Sequence, residues 1–409
     1  MQNHPENEKT RSNVVERTDV LVIGGGIVGL AFAASLKSSG LIVTVIDRGS
    51  KPQRTSSVPK KRKNWTLDSH IHPRISALSI SAWQFLNGVG ESLTGTPYTR
   101  MEVLDGEGTG KLSFCAEQLA LEQLGYIVEN DKLSIELINN IKKSKNVFFY
   151  WDTEIKELEK LEDGYVVKTD KNVICTKLLV GADGSQSKVR KLANLNYCKW
   201  TYNQKGIVAV VETELQHGRT ARQWFTSRGT LAFLPLSDKN LCSIVLSTSD
   251  YDEIMLMDDE SIAKLLENLS EGVLGKIFGI DYRLVFPISQ QHSVRYVEKN
   301  LVLIGDAAHT IHPLAGQGAN IGLADAKQLS QSIKQACLKG IPIGCLEVLN
   351  QYQSSRRPDS LSTAALMEVF ARGFSSSNPA IQWLRNEGLN KVESSGFFKK
   401  VIVKLATLR

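Results

Sequence analysis

The chain of 409 residues is long enough for two domains, or for one large domain carrying an insertion, and for a sizeable buried core. With 42% hydrophobic and 22% charged residues it has an ordinary globular composition, and a formal net charge of +6 is too weak and too scattered to imply nucleic acid. No run reaches the roughly 18 apolar residues of a membrane span, and six widely spaced cysteines without a C-x-x-C pair suit neither zinc nor an iron–sulfur cluster.

No metal is expected, and the thiols read as reduced core residues of a cytosol-facing protein. The start, "MQNHPENEKTRSNVVERTD", lacks a secretory apolar core and is too acidic for a mitochondrial presequence. Residues 1–17 read as a disordered tail.

The first structured segment runs from Asp19 to Arg48. A buried strand, Val20 to Ile23, enters Gly24-x-Gly26-x-x-Gly29. A small-residue helix follows, Gly40 ends it, and a second strand from Ile42 to Ile46 delivers Asp47. In this βαβ setting the glycines read as a dinucleotide turn. Gly24 allows the tight turn, Gly26 admits a pyrophosphate to the helix N-terminus, and Gly29 lets helix and strand pack closely. Asp47 would accept from a ribose hydroxyl. The polar segment from Ser50 to Arg74 contains "PKKRK" (Pro59 to Lys63), which reads first as a solvated loop. A nuclear import signal and contact with anionic lipid heads are the other readings.

From Arg74, "RISALSISAWQFLNGVG" has apolar residues at helical spacing and ends on Gly90. Hairpin-like strands then lead to "LLVGADGSQSKVR", a buried strand whose glycine turn carries Asp183, with Ser185, Ser187 and Arg190 following onto a helix. From about Tyr202 to Pro287 strands alternate, with one helical stretch near Asp258 to Leu269. "LVLIGDAAH" is a third strand end, carrying Asp306, and the pattern after 325 is helical. Strand tips on the carboxyl edge of one parallel sheet share a crevice, so one extended dinucleotide explains all three. Asp306 would then bond the hydroxyls of a second, sugar-like chain. His312-Pro313 stiffens the next turn. Gly316, Gln317, Gly318, Ala319 and Asn320 open a helix whose free N–H groups point at the ligand.

These motifs together resemble the flavoprotein aromatic hydroxylases related to p-hydroxybenzoate hydroxylase. "HPLAGQGANIGLAD" is similar to the signature of the ubiquinone-biosynthesis ring hydroxylases, and further likeness in "RISALSISA", "LGYIVEN" and "FSSSNPAIQWLRNEGL" extends it over residues 18 to 395. The long basic loop before Arg74 departs from the family pattern. The resemblance implies an α/β, α+β composite fold: a Rossmann-like FAD-binding domain, an inserted β-sheet substrate domain and a C-terminal helical segment. The expected division is 18–98, 123–198 and 297–358 for FAD, 99–122 and 199–296 for substrate, and 359–409 for the helical end. FAD is expected at Gly24, Gly26, Gly29, Asp47, Arg74, Asp183 and Asp306. The loop of Pro313, Gly316, Gly318, Ala319 and Asn320 would lie beside the flavin ring. Asp183 would serve both FAD and the nicotinamide donor.

The implied activity is an NADPH- or NADH- and O₂-dependent monooxygenase hydroxylating a polyprenylated phenol or benzoquinol through a C4a-hydroperoxyflavin. The cofactor carries the chemistry and the protein positions it in a dry site. The catalytic residues stay unassigned, with His312, Pro313, Gly316 and Gln317 closest to the flavin in sequence. His309 reads as loop support rather than a proton carrier, and Tyr202, Tyr251 and Tyr296 are unplaced. A flavin-dependent isoprenoid reductase and a non-catalytic prenyl-binding escort of the same fold are the alternatives. The chain ends "SGFFKKVIVKLATLR", where Phe397, Phe398, Val401, Ile402 and Leu405 form one helical stripe among Lys399, Lys400, Lys404 and Arg409. That stripe docks either on a membrane surface or on protein. The expected location is cytoplasmic, with peripheral contact to the inner face of the membrane and to other ubiquinone-biosynthesis proteins.

Overall fold

A computed structural model describes residues 15–53, 71, 74–106, 108–311 and 317–375. The basic run at Pro59 to Lys63, the turn residues His312, Pro313 and Gly316, and the stripe after Phe397 lie outside the described residues.

In chain order the elements begin with β1 (Val15–Ile23), α1 (Ile27–Ser35) and β2 (Val43–Ile46). Next come β3 (Ile75–Ser79), α2 (Ile80–Val89), β4 (Thr96–Tyr98), β5 (Arg100–Asp105) and β6 (Lys111–Cys115). β7 (Gly125–Glu129), α3 (Asn130–Ile141) and β8 (Val147–Tyr150) precede a hairpin of β9 (Ile155–Leu161) and β10 (Gly164–Thr169). β11 (Val173–Gly181) and α4 (Lys188–Leu192) then lead to β12 (Tyr197–Thr213), β13 (Thr220–Thr226), β14 (Gly229–Pro235) and β15 (Leu241–Thr248). α5 (Tyr251–Leu256), α6 (Asp259–Leu269) and β16 (Ile277–Ser293) complete that stretch. The chain continues through β17 (Val297–Glu298), β18 (Leu301–Leu303), β19 (His309–Thr310), α7 (Gln317–Leu338) and α8 (Leu346–Ser375).

Two large sheets organise these elements. The first runs β17-β18-β11-β1-β2-β8, with β18, β11, β1, β2 and β8 parallel to one another, β17 antiparallel to β18 and the β9–β10 hairpin attached antiparallel to β11. Val20, Leu21 and Val22 in β1 and Leu178, Leu179 and Val180 in β11 are fully buried, as expected for a parallel sheet covered on both faces. α1 packs so closely because its sequence is small: a Cβ on Gly29 would lie 2.0 Å from the Gly24 carbonyl oxygen. Gly24 itself sits at φ +116°, where side chains are disfavoured.

The second sheet runs β19-β16-β12-β15-β14-β13-β5-β6 and packs one face on α6 through Ile262 and Leu266. Asp258 caps α6 by accepting from the Ser261 N–H at 2.8 Å. A three-stranded sheet, β3-β7-β4, lies apart from both. Among the described residues no helix is long and apolar enough to cross a membrane.

Three local expectations change. The helix predicted from Arg74 starts only at Ile80, because residues 75–79 pair with β7 as a strand. Their backbone groups are taken: Asn320 accepts from the Ser79 N–H and donates to the Ala77 carbonyl, and Ser79 Oγ then caps α2 by accepting from Ala82. The tail ends earlier than residue 17, since Val15, Glu16 and Arg17 pair with Val173, Ile174 and Cys175. Backbone pairing carries that extension without an apolar pattern. All six cysteines are free, yet Cys242 alone among them is buried and Cys198 is exposed.

A cleft at the strand tips

The register sets the site. Ile23 lies beside both Gly181 and Ile46, and Gly181 lies beside Leu303. The residues that follow these positions are Gly24, Ala182, Asp47 and Ile304, so the turns bearing Asp47, Asp183 and Asp306 leave the sheet at one edge. A cavity of about 1290 Å³ opens there. Its lining includes Arg74, Asp183, Asp306, Gly318, Ala319 and Asn320 from the sequence-predicted set. Gly24, Gly26, Gly29 and Asp47 are not part of that lining; they form the β1–α1–β2 turn beside it.

Asp306 opens onto the cavity, and its carboxylate has no hydrogen-bond or ionic partner among the described residues. The residue is exposed to solvent through the cavity, yet the protein packed around its carboxyl raises its pKa, with His309 opposing that shift and Asp325 adding to it. Asp183 is half satisfied among the described residues: Oδ2 accepts from the Lys188 and Val189 N–H groups at 2.7 and 3.2 Å, whereas Oδ1 is buried with no hydrogen-bond partner there. Burial raises its pKa against those hydrogen bonds.

At the other turn, α1 has no side-chain cap, and a Cβ on its N-cap residue Gly26 would meet nothing within 4 Å. The N-cap position is therefore open, with the positive end of the helix behind it. Partnerless acceptors at one end and uncapped donors at the other match a ligand carrying hydroxyls and a phosphate. Asp47 is already engaged, accepting from Gly25 and Gly49 N–H at 2.6 Å each, which leaves its outer lone pairs for a ligand. Asn320 spends both side-chain ends on β3, so its backbone is what it offers the cavity.

Sequence patterning did not reveal how the turns are tied together. Arg190, 1% exposed, donates from one end to the Ala307 carbonyl at 2.7 Å and to the Ser185 carbonyl at 2.8 Å. It thereby staples the Asp183 turn to the Asp306 turn, with Tyr197 stacked 4.2 Å from the guanidinium carbon. Gln291 Nε2 adds donations to the Ser185 carbonyl at 2.5 Å and to Thr310 Oγ1 at 3.0 Å. Arg190 falls three residues after a serine N-cap, a visible signal; Gln291 belongs to no motif.

Behind the Asp306 turn lies a buried polar cluster. Asp325, fully buried on α7, accepts from the Gly305 N–H at 3.0 Å, from His309 Nε2 at 2.6 Å and from Arg356 Nε at 2.8 Å. Burial alone would raise the Asp325 pKa; His309 and Arg356 outweigh it and hold the carboxylate below its ordinary value. His309 is thus a buried strut of the turn, as its sequence context suggested. Nearby, His292 Nδ1 donates to the Ser293 carbonyl at 3.1 Å, which leaves Nε2 to accept from Tyr296 OH at 2.6 Å. Tyr296 is fully buried core.

The cavity continues across the second sheet over Val208, Ala232, Leu234, Val245 and Phe286. Tyr98 and Tyr202 also line it; burial pushes the Tyr98 hydroxyl up to about 12, which makes it a poor base at neutral pH. Tyr202 OH contacts Gln290 at 2.9 Å and Glu368 on α8, and Tyr251 lies under the Lys205 ammonium at 3.8 Å. One cavity therefore joins a polar rim of carboxylates to an apolar sheet face.

Comparison with known proteins identifies the chain as a flavoprotein. Residues 126–364 match a family described as an FAD binding domain, and residues 19–93 match one described as FAD dependent oxidoreductase. The 3-demethoxyubiquinol 3-hydroxylase of Escherichia coli is 32% identical over 95% of this chain and 98% of that protein. The ubiquinone biosynthesis monooxygenase COQ6 of Danio rerio is 29% identical over 99% of this chain and 92% of its own length. Among solved structures, p-nitrophenol 4-monooxygenase PnpA of Pseudomonas putida superposes with a TM-score of 0.78 at 19% identity, covering 97% of this chain and all (100%) of that one. The likeness at that identity is one of fold.

Proposed function

The chain belongs to the FAD-dependent monooxygenases of the ubiquinone-hydroxylase family, and from that premise we propose that it hydroxylates the ring of a polyprenylated phenol during ubiquinone synthesis, with a reduced nicotinamide as electron donor. The observation that carries the reading is the single cavity running from the Asp306 turn onto the apolar face of the second sheet. When bound, FAD supplies the redox chemistry and the activation of O₂.

In this reading the residues divide the work. Gly24, Gly26 and Gly29 hold the pyrophosphate against the start of α1, and Asp47 reaches the neighbouring ribose. Asp306 accepts from the ribityl hydroxyls. Arg74 and the backbone from Gly318 to Asn320 border the ring, with Pro313 and Gly316 in the adjoining turn. Asp183 keeps a free acceptor for FAD or the nicotinamide donor. Val208, Leu234, Val245 and Phe286 hold the substrate ring and keep water from the reacting face. The substrate unit comprises residues 99–122 and 199–296, inserted into the cofactor unit.

Deleting the gene in cells without a redundant hydroxylase is expected to deplete ubiquinone under aerobic growth and to accumulate a prenylated ring one hydroxyl short, read by mass spectrometry. Normal quinone levels would remove the substrate assignment. Consumption of O₂ with the nicotinamide separates this reading from a reductase acting on isoprenoid chains.

Reaching such a substrate requires contact with the bilayer, and the four cations among apolar residues in 396–409 suit an anionic surface. The full-length protein is expected to sediment with anionic liposomes at low salt, and a chain lacking 396–409 to stay in the supernatant with its flavin spectrum unchanged. A truncated protein that is insoluble or flavin-free would assign the segment to the fold instead.

A further inference from the structure

Asp325 sits where three elements meet. Through the Gly305 N–H and His309 it holds the turn that carries Asp306, and through Arg356 it reaches α8. Arg356 is itself pinned, donating to Asp359 at 2.6 Å and to the Ile321 carbonyl at 3.4 Å. Two turns further along α8, Ala364 packs with Ile311 and Ile321, and Met367 packs against the cluster containing Phe114 and Phe225. Glu368 meets Tyr202. Ile311, Phe114 and Tyr202 are all cavity walls. α8 therefore backs the substrate end of the cavity and is anchored, through one buried carboxylate, to the cofactor end.

We infer that Asp325 and Arg356 are positioning residues that couple occupation of the Asp306 turn to closure of α8 against the substrate compartment. The inference rests on the reading of Asp306 as a cofactor contact. Physically, the turn and α8 share one buried acceptor, so a turn that shifts without cofactor changes the geometry of the Gly305 and His309 donors and loosens the hold on Arg356. A ligand that orders the turn restores all three hydrogen bonds together. Packed networks with two discrete arrangements carry coupling of this kind.

The experiment compares hydrogen exchange of the holoenzyme with that of the same enzyme after flavin removal, for the native chain and for Arg356→Met. To avoid leaving a buried unpaired carboxylate, the double variant Asp325→Asn/Arg356→Gln is measured in parallel. In the native protein FAD is expected to slow exchange both at residues 303–311 and along 356–368, by about tenfold or more. In the variants the slowing at 303–311 should persist, while that along 356–368 should fall to near unity. Substrate KM should rise with FAD affinity altered by less than about threefold, a separation that general destabilisation does not produce. Retained slowing along 356–368 in both variants would overturn the coupling. Equal loss at the turn and at α8 would also overturn it, since the pair would then only support the cofactor. No slowing at 303–311 in the native protein would instead reject the cofactor reading of Asp306.

Discussion

Replacing Asp306 by alanine is expected to weaken FAD binding by roughly ten- to hundred-fold, the worth of about 1.5–3 kcal/mol for hydrogen bonds to a charged acceptor. The flavin-stripped variant should be about as stable as the native chain. The carboxylate is exposed to solvent through the cavity, so the site that raises its pKa costs the fold little near neutral pH. No internal partner among the described residues is lost with it. Flavin fluorescence titration and thermal melting of the stripped protein read the two effects separately. An alanine variant that retains full flavin affinity, or one that fails to fold, would argue that the acid is structural.

Acid should destabilise the protein through His292. Its pKa is lowered from 6.5 to about 4, first by burial, then by His309 and Arg357, with the Ser293 carbonyl and Asp325 opposing. Between those values the unfolded chain binds a proton at this site that the folded chain refuses, so stability falls as pH drops from about 6.5 to about 4, by about 3 kcal/mol in total. His217, also shifted down by burial, acts in the same direction. Asp183 and Asp306 act in the opposite one, because their raised carboxyls take up protons in the fold. The difference between native and His292→Gln chains, measured by urea unfolding at several pH values, isolates the histidine. The variant profile should be flatter over this window; parallel profiles would show that the ring is not the acid-sensitive group.

How much of this was legible in the sequence follows from what each element needs. The β1–α1–β2 unit announces itself because its chemistry is local: glycines at fixed spacing, small helix residues and an acid at the next strand end. The Asp183 and Asp306 tips were readable for the same reason, and parallel pairing then had to bring them together. The strand at 75–79 was not, since its apolar spacing fits a helix and only β7 and Asn320, distant in sequence, claim its backbone. Gln291 and Arg356 escaped notice because each works on residues far away in the chain. Asp325 lies inside the quoted signature, yet its partners Gly305, His309 and Arg356 could be known only from the fold.

The two-residue strand β19 has a consequence for recombination. The chain that carries Asp306 becomes, three residues later, part of the second sheet, with Thr310 beside Gln291 and His309 beside His292. The turn that carries Asp306 thus joins the two large sheets. A chimaera that exchanges 199–296 between relatives would bring in a sheet whose margin was shaped for someone else's turn. The natural seam for such exchange lies beyond Thr310, so that the turn, its His309 strut and the sheet travel as one piece.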